Sequence, residues 1–241
     1  MQVERRWFAD FKQEEIEGIR VRRETVVVVD LWAATTNIVL MLAKKPARLI
    51  LINDEKYSQA ARVYPDAVLI GQSNIIPEEK FASSTNKSAD VDKVDIGGKV
   101  VLYVTFNGTR VLEAFSGNEA GFVFAGALTN YQVLTDHLKK VNPAKVKIAA
   151  AGNLTGELGG VTFLEDWLGA ELYEKSLRGE KFDFRIESEC FKKELLAQGR
   201  EDLEEAEEKI WPFIFAPESN VLPTSFINGD GFVEVVDYLS S

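Results

Sequence analysis

Asp30 closes a run of four valines and is followed by Leu-Trp-Ala-Ala-Thr35-Thr36-Asn37. Aspartate is a poor strand former, so a carboxylate there caps the next helix, binds a metal or takes part in chemistry. Thr35 and Thr36 fall in the first turn of a predicted helix, where free N–H groups and the helix dipole favour an anion. The same hydroxyls, or Asp30 itself, could equally serve as the helix cap. A second cluster is Thr105-Phe-Asn107-Gly108-Thr109-Arg110. Gly108 lets the backbone approach a ligand, Asn107 and Thr109 flank it, and Arg110 offers a planar fork suited to phosphate oxygens. The competing reading is a glycine turn followed by a surface arginine.

Three further groups are weaker. Gly126-Ala-Leu-Thr129-Asn130 ends a strand, although Thr129 and Gln132 have capping-box spacing. Gly152-Asn-Leu-Thr-Gly-Glu-Leu-Gly-Gly is a loop able to wrap a ligand through its backbone. Glu165-Asp166 opens a helix, and Thr162 with Glu165 again fits a capping box. His137 and Cys190 stand alone in the pattern and read as ordinary packing or surface residues.

The elements that must position these residues alternate. Apolar runs at 25–30, 48–53, 67–70, 99–106, 121–126 and 145–151 read as strands. Helical patterns follow at 33–45, 55–63, 109–115, 129–140 and 163–177. The strand runs are almost continuously apolar, as for a parallel sheet covered by helices on both faces. The expected fold is therefore a three-layer α/β domain spanning 1–241, with its site along the carboxyl edge of the sheet. The polar stretch 72–98 reads as an excursion that covers the site. An acidic helix over 187–210 reads as a solvated face, and an Asn228-Gly-Asp-Gly turn precedes a strand near 232–236.

Composition narrows the classes. With 241 residues and 46% hydrophobic content the chain can bury a substantial core. One cysteine and one histidine exclude a disulfide framework and a His-rich zinc site. A net charge of −10 makes nucleic acid a poor partner. The longest apolar run, 38–43, falls far short of the ~20 residues a bilayer needs, and the charged stretch 1–11 does not read as a secretory signal. No membrane association is expected, and the expected location is cytoplasmic. Walker A, G-x-G-x-x-G and G-x-S-x-G patterns are missing, and Asp30-Leu-Trp is not the strand-end D-x-D of aspartyl phosphatases.

The order of the motifs resembles the 2-phosphosulfolactate phosphatase family over roughly 26–172. That family shows D-V-L-R-A-T-T-T, T-T-N-G-T-R-A, G-S-x-x-N, an A-G loop and S-L-E-D-x-x-x-A-G-A in the same sequence. Ala33 stands where the family has arginine, Asn37 replaces its last threonine, and Gly71-Gln72 replaces a G-E pair. Its G-N-S-P segment is matched only by Thr85-Asn86-Lys87-Ser88. The resemblance implies an Mg²⁺-dependent phosphatase removing phosphate from a small phosphorylated and sulfonated acid, a step toward coenzyme M. A homodimer is the expected assembly. Asp30, Arg110 and Glu165 are then the expected catalytic residues, with Asp30 and Asp166 as metal ligands. Thr35, Thr36, Asn107, Gly108, Thr109, Asn130 and Gly152 are expected to bind substrate. The alternative is a relative that keeps the pocket and binds a small anion or nucleotide without turnover.

Overall fold

The computed structural model describes the chain except residues 33, 84, 106, 153–163, 182, 184, 185, 188, 191, 192, 194–210, 215, 217, 218 and 241. Most of the acidic helix expected over 187–210, most of the glycine loop and the Thr162–Glu165 capping box thus lie outside the described residues.

The strands are β1 (Gln2–Trp7), β2 (Thr25–Val29), β3 (Arg48–Ile52), β4 (Val68–Gly71), β5 (Val100–Val104), β6 (Val123–Gly126), β7 (Lys145–Ala150), β8 (Pro223–Ile227) and β9 (Val233–Asp237). The helices are α1 (Gln13–Arg22), α2 (Ala34–Ala43), α3 (Tyr57–Val63), α4 (Ser88–Lys93), α5 (Asn107–Phe115), α6 (Tyr131–Val141), α7 (Leu164–Leu177) and a short α8 (Trp211–Ile214). All nine described strands join one sheet in the order β1-β7-β2-β6-β8-β9-β3-β5-β4. The α/β class and mostly parallel sheet expected from the sequence are present.

The polarity of that sheet was not expected. β1, β7, β2 and β6 run parallel, and so do β3, β5 and β4. Between the two blocks sits the β8–β9 hairpin, antiparallel to each neighbour. Three reversals leave the blocks pointing in opposite directions. The carboxyl ends of β2 and β5 therefore belong to opposite edges, and the expectation of a site along one carboxyl edge is corrected. Laid flat, five strand intervals would also separate β2 from β5 by about 24 Å. Strand twist accumulates across a sheet, and here it curls the two carboxyl ends toward one another.

The core follows that curl. Val26 and Val28 of β2 share one cluster with Leu49 and Leu51 of β3, Val101 and Tyr103 of β5, and apolar residues of α1, α2, α4 and α5. Val27 and Val29, pointing the other way, pack with Leu134 of α6 and Tyr173 of α7. Ile50 and Ile52 enter a third cluster with Leu102, Ala60 and Phe232. The hairpin is set by Asn228, whose Oδ1 accepts the backbone N–H groups of Asp230 and Phe232 at 2.9 and 3.1 Å.

Candidate functional site

Asp30 follows β2 directly, and the chain turns at once into α2. Thr35 fixes this corner: its hydroxyl donates to the Asp30 carbonyl at 2.8 Å, and the Asp30 N–H lies 3.2 Å from the same oxygen. Thr36 donates to the Leu31 carbonyl at 2.8 Å. Both threonines are buried, so their hydroxyls brace the loop that carries Asp30.

The second cluster arrives from the far block. α5 begins at Asn107, two residues beyond Thr105, and its first turn abuts Asp30. A methyl group added at Gly108 would lie 2.2 Å from the Ala34 Cβ and 2.9 Å from Asp30 Oδ2. Only a residue without a side chain permits this approach. The amino ends of α2 and α5 thus face each other across the Asp30 carboxylate, each with backbone N–H groups that the helix leaves unsatisfied. Asn107 Oδ1 and Thr109 Oγ1 are buried here without a hydrogen-bond partner among the described residues. Unmade bonds on buried polar atoms cost stability, so these two oxygens are open to a polar ligand.

Asp166 closes the third side. It lies in the first turn of α7, and its two oxygens accept the backbone N–H groups of Leu31 at 2.8 Å and Gly152 at 3.0 Å. One carboxylate therefore ties the ends of β2 and β7 together. Burial raises its pKa well above the carboxylate range, and the negative charges of Asp30 and Glu165 add to that effect. The two N–H bonds work in the opposite direction. Glu165 is fully buried beside it. Gly152 holds a positive φ of 67°, and a Cβ there would meet the Trp7 ring at 3.0 Å.

Not every expected residue joins this constellation. Asn130 is buried in the turn between β6 and α6: its Oδ1 accepts from the Ala127 N–H, its Nδ2 donates to the Ala125 carbonyl, and Tyr173 donates to it from α7. Arg110 is exposed on α5 and makes no ion pair among the described residues. The Thr129–Gln132 capping box is not formed, because α6 starts at Tyr131 and Thr129 Oγ1 has no partner. His137 packs half-buried between Phe124 and Tyr238.

Sequence reasoning missed a buried polar chain beside Asp30. Asn37 Nδ2 donates to the Asn86 carbonyl at 2.7 Å and to the Tyr103 hydroxyl at 3.0 Å, while Ser88 donates to Asn37 Oδ1 at 2.7 Å. This chain fastens the excursion to α2 and β5. Burial raises the Tyr103 pKa, the Asn37 bond opposes that, and the charge of Asp30 raises it further. An asparagine in the otherwise apolar stripe Ile38-Val39-Leu40 was the available signal, since a fully buried amide must be paired.

In metal chemistry the donor set is limited. Among the described residues no three Asp, Glu, His or Cys side chains form a metal cage. One or two carboxylates are what Mg²⁺ ordinarily takes from a protein, leaving its other positions to water and substrate oxygens. The accumulation of Asp30, Glu165 and Asp166, with each of the other two charges raising the pKa of Asp166, fits a cation of that kind.

Fold and site define an α/β protein with a half-buried aspartate set against two helix amino ends and two buried acids beside it. Residues 10–209 match the profile of the 2-phosphosulpholactate phosphatase family. The chain belongs to that family. It is 28% identical over 142 residues to a Clostridium beijerinckii protein named "Probable 2-phosphosulfolactate phosphatase", covering 58% of this chain and 59% of that one. A Thermotoga maritima protein of the same name is 27% identical over 66% of this chain and 64% of its own length. One from Thermoplasma acidophilum is 32% identical over 37% and 40%. The aligned region thus spans less than two thirds of each of these relatives. Among the described residues no helix is long and apolar enough to cross a membrane.

Proposed function

We propose that the protein is an Mg²⁺-dependent phosphomonoester hydrolase acting on a small phosphorylated acid, with 2-phosphosulfolactate as the representative substrate. The observation that carries this reading is the Asp30 carboxylate held against the first turn of α5 at Gly108, in a chain of this family. The amino ends of α2 and α5 attract the phosphate, and the Thr109 hydroxyl donates to one of its oxygens. Arg110, exposed and unpaired at the same turn, reaches toward the anion as substrate enters. Asp30 is the first metal ligand, and Asp166 offers its remaining lone pairs as the second. A bound Mg²⁺ would offset the charge on the phosphoryl oxygens.

Hydrolysis breaks the ester P–O bond, gives the phosphoryl group to water and returns a proton to the leaving alkoxide. Glu165, buried beside Asp166, is assigned the proton transfer. Thr35 and Thr36 act through the Asp30 loop, and Gly152 through its N–H bond to Asp166. A panel of small phosphomonoesters, 2-phosphosulfolactate included, assayed with Mg²⁺ and with EDTA tests the reading. Metal-stimulated phosphate release supports it; none from any member overturns it.

A second reading is a relative that binds a small anion or nucleotide without turnover. It is favoured by the Asp166 carboxylate, both of whose oxygens already hold backbone N–H groups. Ala33 in place of the family arginine points the same way. Stabilisation by phosphate with no turnover would establish it.

A further inference from the structure

The Tyr103 hydroxyl is buried in the interior, yet no motif drew attention to it. Its side chain is fully enclosed, and its oxygen meets Asn37 in the first turn of α2, the helix that opens four residues after Asp30. The oxygen accepts one hydrogen bond, from Asn37. Its own O–H donates to nothing among the described residues. Asn37 does not take that proton, because it turns its amide nitrogen, a donor, to the phenol and its carbonyl oxygen to the Ser88 hydroxyl. The amide is thereby locked, and it fixes the phenol oxygen in one place.

A buried O–H without an acceptor is destabilising, and a fold does not keep one where a phenylalanine would pack as well unless something else uses it. The surroundings narrow what that something is. The first turn of α2, on which Asn37 sits, presents N–H groups, which are donors and cannot accept. A ligand that supplies acceptors beside them is an oxyanion.

We propose that Tyr103 is a substrate-contacting residue, donating its hydroxyl to an oxygen of the phosphate bound between Asp30 and the first turn of α5. The inference rests on the anion site proposed above and adds a neutral donor to it. Asn37 is then a positioning residue, acting only through the phenol. Its amide holds the hydroxyl oxygen and at the same time binds the 86–88 segment, so substrate contact and closure of the excursion share one side chain.

The test is Tyr103→Phe, which keeps the ring in the core and removes a single oxygen. Affinity for inorganic phosphate, with Mg²⁺ present, is measured by calorimetry on parent and variant, together with melting temperature. The expected result is parental melting and phosphate binding weakened about tenfold, the scale of one hydrogen bond to a charged group. Unchanged phosphate affinity overturns the inference while leaving the phosphatase reading intact. A variant that melts well below the parent or does not fold also overturns it, since the hydroxyl is then a structural group. If the parent itself binds no phosphate and Asp30→Asn changes nothing, the anion site fails and this inference fails with it.

Discussion

Asp30 and Asp166 are two carboxylates one strand apart with different work. Asp166 holds two backbone N–H groups and joins the ends of β2 and β7. The Asp30 side chain is set against Gly108 and the α5 turn. Asp30→Asn keeps the shape and removes the charge, and asparagine caps a helix as well as aspartate does. The expected outcome is a folded variant with near-parental melting that has lost Mg²⁺ binding and most turnover. Calorimetric titration beside a phosphate-release assay checks this, and unchanged metal affinity and rate would reduce Asp30 to a cap. Arg110 gives the complementary case. It is exposed and makes no ion pair among the described residues, so Arg110→Ala should change stability by no more than about 0.5 kcal/mol. Phosphate affinity should nevertheless fall. A collapse in melting with unchanged affinity would make it a structural residue.

At the scale of elements, the site exists only because α5 reaches α2. Gly108 is the contact point, and a methyl group there meets Ala34 and Asp30 closer than real Cβ atoms come. Gly108→Ala should cost about 1–3 kcal/mol as overpacking and push α5 away from Asp30. Phosphate affinity should fall with it. Gly117, just beyond the same helix, has open space around its added Cβ. Gly117→Ala is thus the control, expected to leave phosphate affinity as it was. Equal effects of the two substitutions on phosphate affinity would show that the approach of α5 is irrelevant to binding.

For the whole molecule, the sheet edge at β1 is held by charge. Lys147, buried on β7, pairs with Glu15 at 2.9 Å and Glu4 at 3.3 Å, and Lys145 pairs with Glu4 at 2.7 Å. Burial alone would raise the Glu4 pKa, but the bonds from Lys145 and Arg6 and the Lys147 charge outweigh it and hold the group at about 2. Its folded pKa lies below the ordinary value of 4.5, so its contribution is complete above that value. It is lost as pH falls from about 4.5 toward 2. Melting measured across that window should drop in the parent and drop less steeply in Glu4→Gln. Identical acid limbs would show that the pair contributes nothing to stability.

Local chemistry in the chain was enough to place β2 to β7, because buried parallel strands are written as unbroken apolar runs, and the helices α2, α3, α5, α6 and α7, but not α4 inside the polar stretch 72–98. It also marked Asp30 and Gly108, since a carboxylate after four valines and a glycine at a helix start each break a local rule, whereas Asp166 gained its expected role from the family resemblance. β1 escaped notice because its Glu4, Arg5 and Arg6 look like surface residues until the partners on β7, α1 and α7 are known. β8, which opens on Pro223, escaped because its place in the sheet depends on β6 and β9. Direction of pairing, the curl that brings α5 to Asp30, and the burial of Tyr103 with Asn37 are relations between distant segments. No local pattern encodes them, because a strand has the same alternation whichever way its neighbour runs. Only packing the hairpin between two opposed parallel blocks decided that the carboxyl ends of β2 and β5 would meet.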